Sequence, residues 1–299
     1  MTSLSLHSHC QALETEWTAI QPQDSDRIAS VDCSAESKLC EEFQISSFPT
    51  IRLYQQNGKP YRYRGPRRAA SISGFLQRML RPAVSHVGSK NTTSFLVDDD
   101  VVFVAQSAPG DTTLRDRFTT VAEKYRDRYS FAISSDASQQ SIVTCYNNPD
   151  DLQRSTIELA NPASLEAFIK LCATPLIPEL TRRNEMTYYS SGKSLVHYFI
   201  HSPSQREAYV AEMLPLAKKY HEYLHFTTTD ANEYPDAVEM MGLRRGATGL
   251  SVQNPSNGDI FPYTGRQKIT AGVVETFLVD IIQGRVKPWG QGNVEHEEL

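Results

Sequence analysis

The 299-residue chain has no Cys-X-X-Cys pair. Its five cysteines, at positions 10, 33, 40, 145 and 172, are too few to staple a chain of this length into a disulfide scaffold. No apolar run approaches the roughly 18–20 residues of a membrane span; the longest, "SFLV" and "VVFVA", have the length of strands. A net charge of −5 and the lack of a basic stripe leave nucleic acid without a footprint. The opening "MTSLSLHSHC" has neither the basic n-region nor the apolar h-region of a secretory signal. No phosphate loop, paired glycine fingerprint or serine elbow occurs, so no cofactor is expected. His7, His9 and Cys10 find no fourth ligand at suitable spacing, which excludes a zinc cluster there.

What remains is a soluble globular composition, 39% hydrophobic and 22% charged, with enough length for two or three domains. A helix is predicted over about 10–25, and "RIASVDC" (27–33) reads as a buried strand. "SAESKLCEEF" (34–43) predicts a short helix with Ser34 as its N-cap. In "PTIRLYQQNGKPYRYRG" two strand-like runs flank Asn57-Gly58, the pair that supplies the positive φ angles of a tight hairpin. "AASISGFLQRML" (69–80) follows as an amphipathic helix stopped by Pro82.

Two further units repeat this grammar, each alternating strands and helices and ending hairpin then helix. The fold class expected is therefore α/β with mixed sheets and a repeat of roughly 95–100 residues. The boundaries predicted are 1–83, 84–178 and 179–290, with an acidic tail over 291–299. The tail ends His296-Glu297-Glu298-Leu299, similar to the KDEL/HDEL class of retrieval addresses; a plain acidic tail is the other reading. Cys33 and Cys40 are close enough for a structural disulfide, though two reduced thiols fit equally well.

Over nearly its whole length the chain resembles the protein disulfide isomerases of the endoplasmic reticulum. "HCQALETEW" is similar to the second half of their "WCGHCQALAPEW" signature, and "VDCSAESKLCEEFQISSFPTIRLY" to their "VDCT…LC…FGVRGFPTLKLF" segment. "ATPLIPELTRRNEMTYYSSGKSLVHYFI" resembles the junction of the family's b and b′ domains, and "GRVKPWG" the end of b′. The resemblance implies tandem thioredoxin-like domains a, b and b′. The first would be incomplete, without its first strand, first helix and central second strand. It places Cys10 at the resolving cysteine and His9 at the family's histidine. His7 falls on the attacking cysteine, and an imidazole cannot exchange a disulfide. Pro49 falls on the cis-proline that faces the motif, Arg67 on an arginine that modulates the resolving thiol, and Cys33 with Cys40 on a secondary pair. Cys145 and Cys172 are expected to be isolated, buried and inert, and the loop at Gly249, the b′ counterpart of the cis-proline, to be relaxed.

Three functional readings follow from the resemblance. The first is thiol–disulfide exchange on secretory clients, weakened by His7. The second is a redox-inactive, peptide-binding module whose b′ surface is formed by Phe199, Phe226, Met240, Met241 and Leu243. The third is that the sequence is a fragment of a longer active isomerase, which would explain the missing front and the missing leader together. The partners expected are unfolded or disulfide-containing polypeptides and a retrieval receptor for "HEEL", and the compartment expected is the endoplasmic reticulum lumen. No nucleic acid and no membrane span is expected.

Overall fold

A computed structural model describes the chain except at residues 1, 4–7, 25–27, 55–59, 89, 137, 160 and 291–299. His7, the Asn57-Gly58 turn and the "HEEL" tail therefore lie outside the described residues. Two compact units divide the chain, Met1–Ala173 and Thr174–Leu299.

The first unit opens with β1 (Thr2–Ser3), α1 (Ser8–Asp24), β2 (Val31–Asp32), α2 (Ser37–Glu42), β3 (Arg52–Tyr54), β4 (Pro60–Arg62) and α3 (Ala69–Leu80). Helix α1 presents Leu13, Trp17 and Ile20, spaced as one helical face, to Ile72, Phe75 and Met79 of α3. Helix α2 begins later than its sequence predicts. Ser34 does not cap it; its N–H and hydroxyl both donate to Asp32 Oδ1, at 2.9 and 2.7 Å, in a turn that delays the helix to Ser37. Among the described residues the sheet of this segment is in two pieces, β1 parallel to β2 and β3 antiparallel to β4. An apolar cavity of about 410 Å³ adjoins both pieces, lined by Trp17, Val31, Phe43, Leu53, Ile72 and Phe75.

The same unit continues through β5 (Ser85–Val87), α4 (Thr92–Val97), β6 (Val101–Gln106), α5 (Thr112–Tyr125), β7 (Ser130–Ser134), β8 (Ile142–Asn147), β9 (Leu152–Thr156) and α6 (Pro162–Ala173). These strands form one mixed sheet in the order β5-β7-β6-β8-β9. Strand β6 is buried on both faces: Val101, Phe103 and Ala105 meet α5 and α6, while Val102 and Val104 meet Phe95 of α4. The "SFLV" run thus lies in a short helix and not a strand. Its turn is set at Gly88, whose N–H donates to Asn91 Oδ1 at 2.8 Å and whose carbonyl accepts from Thr92, and only Phe95 of the run is fully buried.

The first two predicted domains share one compact unit, joined by ionic contacts. Arg78 of α3 donates to both oxygens of Asp99 at 2.8 Å and to the Asp127 carbonyl at 3.3 Å. Arg126 donates to the carbonyls of Arg78, Met79 and Arg81, which caps the end of α3.

The second unit contains α7 (Glu185–Tyr189), β10 (Ser194–Ile200), α8 (Pro203–Tyr220), β11 (Leu224–Asp230), α9 (Pro235–Met240), β12 (Gly249–Gln253), β13 (Ile260–Pro262) and α10 (Ala271–Ile282). Its mixed sheet runs β11-β10-β12-β13. The unit begins at Thr174, and the segment that leads to its first helix belongs to its core. Ile177 packs with Val196 and Phe226, and the Leu180 N–H donates to the Thr228 carbonyl at 2.7 Å. Helices α8 and α10 cover one face of this sheet, and α9 covers the other through Val238 and Met241 against Phe199.

Candidate functional site

Cys10 lies in the first turn of α1, 4% exposed, and is the single cysteine among the described residues outside a disulfide. The Phe48–Pro49 peptide bond is cis, with Pro49 and Thr50 buried behind it. The Thr50 hydroxyl donates to the Ser47 carbonyl at 2.5 Å, and Arg62 donates to Ser47 Oγ at 3.0 Å, which holds the loop closed. Arg52 on β3 donates to the carbonyls of Phe43 and Gln44, at 2.5 and 3.1 Å, and ties the end of α2 to the sheet. Arg67 is exposed. The side chain of His9 lies outside the described residues.

The other four cysteines are paired. Cys33–Cys40 joins the end of β2 to α2 with Cα atoms 5.8 Å apart. Cys145–Cys172 joins β8 to α6 at 6.5 Å, which overturns the expectation of two isolated thiols. Strand alternation turns Cys145 to the same face as Phe103's layer, and helical spacing brings Cys172 onto it one turn after Phe168 and Ile169. Sequence reasoning missed the pair because 27 residues separate the two sulfurs along the chain.

In the second unit a cavity of about 280 Å³ opens between β10, β11, α7 and α9. Phe199, Met240 and Met241 line it, together with Tyr189, His197 and Tyr234, which sequence reasoning did not single out. Met240 is 65% exposed at the rim, whereas Phe199 is buried at the floor. Leu243 packs behind Phe199. Phe226 is not brought to this site: its side chain fills the core on the α8–α10 face, with Val196 and Met213. Gly249 does not sit in a relaxed loop either. It opens β12, buried, and a Cβ there would meet Leu243 at 3.2 Å, so the glycine lets Leu243 close on the strand.

His197 is the one titratable group in this floor, and burial pushes its imidazole down to about 4. Its ring nitrogens face Gln253 Oε1 at 3.2 Å and Thr227 Oγ1 at 3.3 Å. A neutral ring with both nitrogens engaged by its own sheet behaves as an apolar wall. The cavity can therefore take an apolar side chain, and it presents no nucleophile–base pair. Among the described residues no group of three His, Cys, Asp or Glu side chains could hold a metal ion, and no helix is long and apolar enough to cross a membrane.

Mixed sheets that end hairpin then helix, with a cis proline ahead of the first hairpin, define a tandem thioredoxin-like architecture. Comparison with known proteins agrees. The family model described as a thioredoxin-like domain matches residues 107–280, and that of thioredoxin matches residues 6–78. The chain is similar to the protein disulfide-isomerase of Humicola insolens, 28% identical over 291 residues that cover 94% of this chain and 58% of the relative. It is similar to that of Aspergillus oryzae at 26% identity, covering 94% and 56%, and to that of Drosophila melanogaster at 24%, covering 93% and 60%. The chain belongs to the thioredoxin-like family, and these relatives are protein disulfide-isomerases. It spans less than two thirds of the length of these relatives.

Proposed function

We propose that this chain serves protein folding by holding non-native polypeptides at the β10–α9 cavity, with disulfide exchange at α1 blocked. One observation carries the reading. Of five cysteines four are paired in disulfides and the fifth, Cys10, is buried; by the family resemblance it falls on the resolving position, with His7 where the attacking sulfur belongs. A lone resolving thiol that reached a client disulfide would stall as a mixed disulfide. An apolar cavity with an exposed methionine rim is in contrast suited to clients of varied sequence.

The working compartment in this reading is the endoplasmic reticulum lumen. Two structural disulfides require an oxidising environment, and "HEEL" would be read there by a retrieval receptor. Thiol–disulfide exchange of the family type is the competing activity, and one experiment separates the two. Insulin reduction and suppression of client aggregation are measured side by side on the chain and on a His7→Cys variant. The expected result is aggregation suppression by both and reductase turnover by the variant alone. Turnover by the unmodified chain would overturn the reading.

A further inference from the structure

We propose that the β10–α9 cavity selects apolar segments that carry a lysine or arginine beside the apolar anchor. The inference rests on the client-binding reading above and adds a chemical class of client to it.

The cavity is apolar within and acidic around. Its floor is Phe199, Met241 and the neutral His197 ring, a surface for one bulky hydrocarbon or aromatic side chain. The charged residues in its lining are three carboxylates, Glu185, Glu233 and Asp236, against one guanidinium, Arg182. That one cation is partly engaged, its guanidinium carbon 6.0 Å from the centre of the Tyr234 ring. Asp236 is met from outside by Arg245, at 3.3 Å, and Arg245 is shared with Glu239 at 3.2 Å. Glu185 and Glu233 have no ion-pair partner among the described residues. A segment that buries an apolar side chain here therefore has its flanks near Glu185 and Glu233, the second already bonded by the Tyr234 hydroxyl, with Arg182 as the one cation of the lining.

The physical consequence is selection by charge. An ammonium or guanidinium next to the anchor gains attraction from both carboxylates, while an acidic flank is repelled by both and attracted by Arg182 alone. The carboxylates are partly solvated, so each contact has the strength of a surface pair and is screened by salt. Together they amount to about threefold to tenfold in affinity between basic and neutral flanks. The chain's net charge of −5 acts in the same direction on encounter rates.

The test uses the full chain and three fluorescent nonapeptides that share one Phe/Leu core and differ only in flanks of Lys, Gln or Glu. Anisotropy titrations are run at low and high sodium chloride, on the native chain, on Glu185→Gln/Glu233→Gln, and on Met240→Asp. The expected order at low salt is Lys tighter than Gln tighter than Glu. High salt and the double Gln variant should each compress that order to within about twofold. Met240→Asp, a change at an exposed rim position, should weaken binding of the Gln-flanked peptide. Equal binding of all three peptides, still weakened by Met240→Asp, would overturn the charge selection and leave the cavity reading standing. No binding of any peptide, or binding indifferent to Met240→Asp, would overturn both.

Discussion

The Cys145–Cys172 bond makes a demand that can be measured with little ambiguity. It closes a span of 27 residues, against 7 for Cys33–Cys40. If a cross-link acts by restricting the unfolded chain, the longer loop contributes about 3.5 kcal/mol and the shorter about 2.4 kcal/mol. The longer bond also lies in the core beneath the β6 sheet, with both cysteines buried among Phe103, Phe168 and Ile169. For a unit of this size, loss of about 3.5 kcal/mol lowers the melting temperature by roughly 7–14 °C. Cys145→Ala/Cys172→Ala should therefore lose more stability than Cys33→Ala/Cys40→Ala in urea titrations of the first unit's unfolding. A thiol titration checks the premise directly. Denatured without reductant the chain should show one reactive thiol, Cys10, and after full reduction five. Three thiols before reduction, or a melting temperature unmoved by the Cys145/Cys172 double change, would refute the reasoning.

Two further outcomes are expected. His197 is held near 4 in the folded chain against an ordinary 6.5, so between those values the unfolded chain binds the extra proton. Its contribution is whole above pH 6.5 and is lost as pH falls toward 4, by about 3 kcal/mol; urea midpoints of the second unit against pH should show this slope, and His197→Gln should flatten it. At the α3 junction, Arg78→Met removes the bidentate partner of the Asp99 carboxylate, which is 12% exposed, and leaves it the Ser130 hydroxyl at 2.6 Å and the nearby Arg81. The single change should cost about 3–5 kcal/mol in chemical denaturation, and Arg78→Met/Asp99→Leu should recover most of it; a double variant as unstable as the single one would count against an ion pair held at this junction.

Local chemistry made much of the fold legible. The run 69–80 is a helix at the predicted residues because its apolar positions repeat at helical spacing and Pro82 follows. "VVFVA" is a strand buried on both faces, as a continuous β-branched run should be. The failures are equally physical. "SFLV" has the same composition as a strand but is governed by the Gly88–Asn91 turn before it, which starts a helix. Ser34 is a favourable N-cap residue by type, yet its hydroxyl is taken by Asp32 two positions earlier. At the β10–α9 cavity Met240, Met241 and Phe199 read as apolar surface in the sequence, but Phe226 reads the same way. Only strand pairing shows that Phe226 lies opposite Val196, on the far face of the sheet from Phe199. His197, Tyr189 and Tyr234 carried no signal at all, because what recruits them is packing between elements far apart in the chain.

The weak repeat seen in the sequence becomes specific once side chains are placed. In the first module Tyr63 follows β4, its ring centre 5.0 Å from that of Phe75 on the next helix, and a Cβ on Gly65 would collide with the Tyr63 ring. At the end of the chain Tyr263 follows β13, 5.2 Å from Phe277 on the next helix, with the same collision at Gly265. The Tyr63 and Tyr263 N–H groups donate to equivalent carbonyls, Ile51 and Leu250. A second device recurs within each of the two later modules. Lys124 and Tyr125, at the end of α5, both donate to Glu166 on α6, and Lys219 and Tyr220, at the end of α8, both donate to Glu275 on α10. In each case the shared lysine and tyrosine hold the carboxyl below its usual range. The lysines are exposed and the carboxyls half-buried, so the ion pairs are worth little to stability; their value is in register, since each fixes the last helix of a module against its central one. A Tyr-X-Gly after the hairpin and a Lys-Tyr answered by a Glu some 40 to 55 residues on are thus recurrent solutions to one packing problem. Hydrophobic periodicity does not register either of them. They recur on one architecture while the first module carries the one cysteine outside a disulfide among the described residues and the last a cavity lined by Phe199, Met241 and three carboxylates.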